Sequence, residues 1–107
     1  MRETKTAAKR IVPVTITLKD GLVQCNPNCA YVRRGQTIEW NSTKNFPFTI
    51  HLGYNSPFTR EQLQAPKQKP ILFNIPKNTP HGRYKYVIAL FDGSKVWIED
   101  PEFIVRR

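Results

Sequence analysis

The chain has 107 residues, nine of them proline and two cysteine, with 39% apolar residues and a formal net charge of +9. That length suits one domain that can bury its own core, with no need for a metal or a disulfide framework. The longest run of wholly apolar side chains, Val87 to Phe91, is five residues, far short of the roughly eighteen of a spanning helix. The spread of prolines excludes long helices.

The first ten residues carry four basic groups and one acid without periodicity and read as a disordered basic arm, so the folded domain is expected over residues 11–107. From Ile11 the pattern changes. Val12, Val14, Ile16 and Leu18 alternate with Pro13, Thr15, Thr17 and Lys19, the mark of a half-buried strand. Pro13 has no N–H for a ladder, so the strand lies at an edge or turns that position outward. Asp20-Gly21 makes the turn. Leu22 to Gln24 begin a short segment, Cys25-Asn26-Pro27-Asn28-Cys29 reads as a tight loop, and Ala30 to Arg33 continue extended.

Gly35 turns the chain into a strand over Thr37 to Trp40, with Ile38 and Trp40 on one face. After the polar loop Asn41 to Asn45, Phe48, Ile50 and Leu52 share the inner face of the next strand. Pro57, Pro66 and Pro70 bracket Thr59 to Gln64, where one helical turn capped by Thr59 is expected. Ile71 to Ile75 is a strand, Pro76 to Gly82 a turn, and Tyr84 to Phe91 a strong strand. Asp92-Gly93 closes it as a hairpin onto Lys95 to Ile98, and Glu102 to Val105 is the last strand. Seven to eight short strands with regular turns predict an all-β, antiparallel Greek-key sandwich with at most one short helical turn.

Several of these segments resemble the cupredoxin family. Val32 to Asn41 looks like the cupredoxin segment in which a glycine turn leads into a strand ending in aromatic-Asn. Asn45-Phe46-Pro47-Phe48-Thr49-Ile50 is similar to the strand that follows, Gly82-Arg83-Tyr84-Lys85-Tyr86 resembles the strand leading to the copper cysteine, and Asp100 to Val105 is similar to the closing strand of bacterial cupredoxin-like domains. The likeness spans Ile11 to Val105. It implies a cupredoxin-like fold, and it places the first histidine ligand on Phe48, the cysteine on Ile88 and the second histidine near Phe91. The axial methionine falls near Val96 or Trp97. A type 1 site needs two imidazoles and a thiolate, so the expectation is a copper-free domain with no cofactor.

The resemblance also implies a docking end. Pro47, Phe48, Phe91 and Trp97, joined by Tyr54 and Phe58, form the candidate interaction surface for a protein partner. His51 and His81, the only histidines, lack partners at ligand spacing. Cys25 and Cys29 are a candidate disulfide if the compartment is oxidising, two thiols in the cytosol, and as a metal clamp an incomplete one. No nucleophile elbow, phosphate loop or dinucleotide glycine run occurs, and Asp92, Glu99, Asp100 and Glu102 read as a solvated acidic turn, so catalysis is not expected.

The basic excess gathers in the middle of the chain, where Arg33, Arg34, Lys44, Lys67, Lys69, Arg83 and Lys85 are the candidate basic face. It suits an acidic partner or, as an alternative, nucleic acid. A third alternative is a periplasmic accessory domain handling metal through Cys25 and Cys29. The opening residues have no apolar signal core. The compartment expected is the cytoplasm if Met1 is the native start, and the periplasm or exterior if a signal was removed. Oligomeric state is not legible in the sequence.

Overall fold

The computed structural model describes residues 10–53, 62–65 and 69–107; the expected basic arm, apart from Arg10, lies outside them. The described residues form eleven strands and one 3-10 turn. These are β1 (Ile11–Lys19), β2 (Leu22–Asn26), β3 (Cys29–Arg33), β4 (Thr37–Ser42), the turn Thr43–Asn45, β5 (Phe48–His51) and β6 (Gln62–Ala65), followed by β7 (Ile71–Asn74), β8 (Gly82–Lys85), β9 (Val87–Phe91), β10 (Val96–Glu99) and β11 (Glu102–Arg106). The strands run β2-β1-β4-β7 in one sheet, β10-β9-β5-β6 in a second and β3-β11-β8 in a third. The all-β sandwich expected from the sequence is present.

The strand count exceeds the expectation because three long strands are interrupted. The β2/β3 break falls at Pro27 and Asn28, the β8/β9 break at Tyr86, and the β10/β11 break at Asp100 and Pro101. Counting each interrupted strand once gives eight. The last two breaks face each other, and the Tyr86 N–H donates to the Pro101 carbonyl at 3.1 Å. β8–β9 and β10–β11 are thus the two arms of one long hairpin, each bent at the same level. Two ladders, β1 with β4 and β3 with β11, are parallel. Alternation within a strand says which face is buried and nothing about the direction of its neighbour.

Asp20 and Gly21 take φ of 53° and 76°, the left-handed pair that a two-residue hairpin turn requires. Pro13 sits on a strand that is central in its sheet, yet β2 pairs only with Thr15 to Lys19. No neighbour on the β2 side needs an N–H at position 13. The helical turn expected over residues 59–64 is corrected in its second half. Gln62–Ala65 is a strand that pairs antiparallel with β5, because an open sheet edge satisfies the backbone where one isolated helical turn cannot. The 3-10 turn falls instead in the polar loop at Thr43–Asn45.

The core follows the alternation. Val14, Ile16, Ile38, Trp40, Ile50, Ile88, Leu90, Phe103 and Val105 are almost wholly buried. At its centre the Trp40 indole N–H donates to the Tyr86 hydroxyl at 3.0 Å, the two rings meet edge-on, and Tyr86 packs on Phe103. Each buried polar aromatic atom satisfies the other.

Candidate functional site

The positions that the resemblance assigns to copper ligands lie on β5, β9 and β10. Phe48 opens β5 and is 3% exposed, and Ile88 on β9 is fully buried opposite Ile50. Phe91 is three residues past Ile88, so alternation sends it to the other face, where it is 45% exposed. None of the three side chains carries a nitrogen or sulfur atom. The residues at these three positions therefore do not fit a type 1 copper ion. Among the described residues no group of three or more His, Cys, Asp and Glu side chains has a metal-holding arrangement.

The candidate interaction surface is only partly assembled. The Phe91 N–H donates to the Pro47 carbonyl at 3.0 Å, which brings those two residues together. Phe48, expected on the surface, belongs to the core, because it occupies the inward register of β5. Trp97 is partly buried: its indole N–H donates to Asp92 Oδ2 at 2.8 Å, and its ring faces Gly21 in the β1–β2 turn. Tyr54 and Phe58 lie outside the described residues.

From Phe91 an exposed apolar surface runs over the outer face of the β9–β10 hairpin. Phe91 stands opposite Val96, and Ala89 opposite Ile98. Val87, Phe91, Val96 and Ile98 are 38%, 45%, 60% and 66% exposed, and β10 is an edge strand. The sequence signal was the unbroken apolar run of β9, too apolar for a strand with one solvated face. The hairpin is held at its tip by Asp92, whose Oδ1 accepts the N–H groups of Ser94 and Lys95. The Lys95 N–H and then the Trp97 indole hold the Asp92 carboxyl below its ordinary pKa.

Cys25 and Cys29 are not bonded to each other in this structure. Cys25 is on the inward face of β2, whereas Cys29 opens β3 on the outward face with Ala30 buried beside it. Burial, with Glu99 nearby, pushes the Cys25 thiol up to about 12. The Cys29 thiol is raised by loss of water and by its hydrogen bond to Glu102.

Part of the candidate basic face is matched by acids. Arg83 Nη1 meets Glu102 Oε2 at 2.6 Å, and Lys85 Nζ donates to the Asp100 carbonyl at 2.9 Å with its carboxylate 3.7 Å away. Loss of water works against the ionised Glu102, but Cys29 and Arg83 outweigh it and hold its pKa below the ordinary value. Lys44 is in the 3-10 turn, Lys69 precedes β7, and Lys67 lies outside the described residues. Arg33 and Arg34, at the end of β3, gather with Arg106, Arg107 and His81 around an open pocket. Those three residues were missed, because Arg106 reaches Arg33 only through a ladder between strands far apart in the chain.

No protein-family model matches this chain, and no curated protein matches it. Solved structures do. Native pseudoazurin from Hyphomicrobium denitrificans superposes with a TM-score of 0.57 at 17% identity, covering 91% of this chain and 76% of that one. A reduced tryptophan-to-tyrosine mutant of amicyanin gives 0.51 at 14% identity, covering 88% and 82%. The fold is that of the cupredoxins, and at such identities the likeness speaks to fold alone.

Proposed function

We propose that this chain is a non-catalytic, copper-free cupredoxin-like binding module that docks another protein on the outer face of the β9–β10 hairpin. The observation that carries the reading is the set of four exposed apolar side chains, Val87, Phe91, Val96 and Ile98, on two paired strands. A contiguous apolar face of this kind is what a protein interface core is made of. The absence of copper is supported by Phe48, Ile88 and Phe91, none of which can ligate a metal. The absence of catalysis is supported by the acids: Asp92, Asp100 and Glu102 are engaged in turn and strand contacts. Metal handling by Cys25 and Cys29 has less support, since the two thiols face opposite sides of the chain.

A photoreactive phenylalanine analogue at position 98 is expected to capture one discrete partner protein. The double variant Phe91→Ser/Val96→Ser should abolish the adduct without changing the melting temperature. Equal capture from position 85, on the charged part of the same hairpin, would overturn the reading. Cu(II) added to the protein should give no intense visible thiolate-to-copper band, and such a band would overturn its copper-free half.

A further inference from the structure

We infer that the arginine pocket at the end of the β3–β11 ladder binds a small molecule carrying two phosphate groups. The inference stands apart from the protein-docking reading and concerns a different face. The parallel register sets Arg106 directly beside Arg33, on strands about 4.8 Å apart. Arg34 and Arg107 follow them, and His81 from the turn before β8 completes the lining of a pocket of about 430 Å³. That volume is in the range of about 300–1,000 Å³ typical of small-molecule sites.

Like charges set side by side on neighbouring strands oppose folding. Among the described residues no Asp or Glu side chain pairs with any of these four arginines; the nearby acids Glu102 and Asp100 are taken by Arg83 and Lys85. Three of the guanidiniums are nevertheless held in place. Arg33 Nε donates to the Arg107 main-chain oxygen at 2.5 Å, and Arg34 Nε donates to the Thr79 carbonyl at 2.7 Å. Thr79 is itself buried and anchored to the Pro76 carbonyl through its hydroxyl. Arg106 lies over the Tyr31 ring at 5.0 Å. Both of these guanidinium hydrogen bonds run through Nε, and the Nη groups are the donors of the guanidinium fork toward a phosphate. Clustered guanidiniums held in fixed positions are the material of an anion site.

The chemistry of the ligand follows from charge and geometry. Guanidinium forks match phosphate oxygens, and each phosphate monoester carries about −1.5 to −2 at neutral pH. Two such groups balance four arginines, whereas a single carboxylate would leave most of them unmatched. An extended nucleic-acid strand fits less well. It needs a basic track along its backbone, and the neighbouring Arg83 and Lys85 are already matched by Glu102 and Asp100.

The test is titration of the whole chain with pyrophosphate at fixed ionic strength, followed by amide NMR and calorimetry. Saturable binding is expected, with shifts confined to residues 33–35, 79–82 and 105–107, and with sulfate at least about tenfold weaker. Arg33→Gln/Arg106→Gln should lower the affinity by about a hundredfold, at about tenfold per charged contact. Its melting temperature without ligand should stay close to the parent's, since relief of repulsion offsets the lost Arg33–Arg107 and Arg106–Tyr31 contacts. Should the double variant fail to fold, the arginines are structural and the proposal falls; Arg106→Gln alone then measures their part in stability. Sulfate binding as tightly as pyrophosphate would overturn the site as one for two phosphates. An oligothymidylate that binds when pyrophosphate does not, with shifts reaching Lys69 and Lys77, would replace it with a nucleic-acid surface.

Discussion

The long hairpin that closes this fold has two halves with opposite surfaces. Beyond the bend at Tyr86 and Pro101, β9 and β10 expose Val87, Phe91, Val96 and Ile98. Before the bend, the outward side chains of β8 are Arg83 and Lys85, matched by Glu102 and Asp100 across the ladder. The inner faces of both halves are core. One pair of strands therefore carries a face on which Arg83 and Lys85 meet acids and a face of exposed apolar side chains. The exposed side of a sheet is not one environment, and a binding reading belongs to the half that lacks internal partners.

The largest expected effect is at the bend, where the halves share one buried hydrogen bond. Tyr86→Phe leaves the Trp40 indole N–H without its partner in the core and should cost about 1–3 kcal/mol in chemical denaturation. A change near zero would mean that water enters or that the indole finds another acceptor. Smaller effects are expected on acidification, which acts on both halves. The Asp92 and Glu102 carboxyls have pKa values below their ordinary ones in the folded chain. Each therefore contributes stability above the unfolded carboxylate pKa of about 4, and that contribution disappears as pH falls through the folded value. Asp92→Asn should lower the melting temperature at neutral pH and converge with the parent in strong acid, with amide exchange at Ser94 and Lys95 accelerated throughout the neutral range. Parallel curves at every pH would separate the turn from the titration. The smallest effect on stability is expected at Ile98→Lys, within about 0.5 kcal/mol of the parent. A larger loss would show that the outer face of β9–β10 contributes to the fold itself.

Much of the fold was legible because alternation is a local property. The inward positions of β1, β4 and β5, and the turns at Asp20-Gly21 and Asp92-Gly93, could be read from neighbouring residues alone, since a strand's period of two assigns each side chain to a face. The same rule could have separated Ile88 from Phe91 and Cys25 from Cys29, had each pair been followed along its strand instead of being grouped by chemistry. Tertiary structure alone decided what meets what. The parallel β3–β11 ladder brings Arg106 and Arg107 to Arg33 and Arg34 from the far end of the chain. The opposed breaks at Tyr86 and Pro101 divide a single hairpin into a charged half and an apolar half. The β5 edge converts Gln62–Ala65 into a strand. Facing depends on the residue and its immediate neighbours, whereas partnership depends on which strands, remote in sequence, close the same sheet.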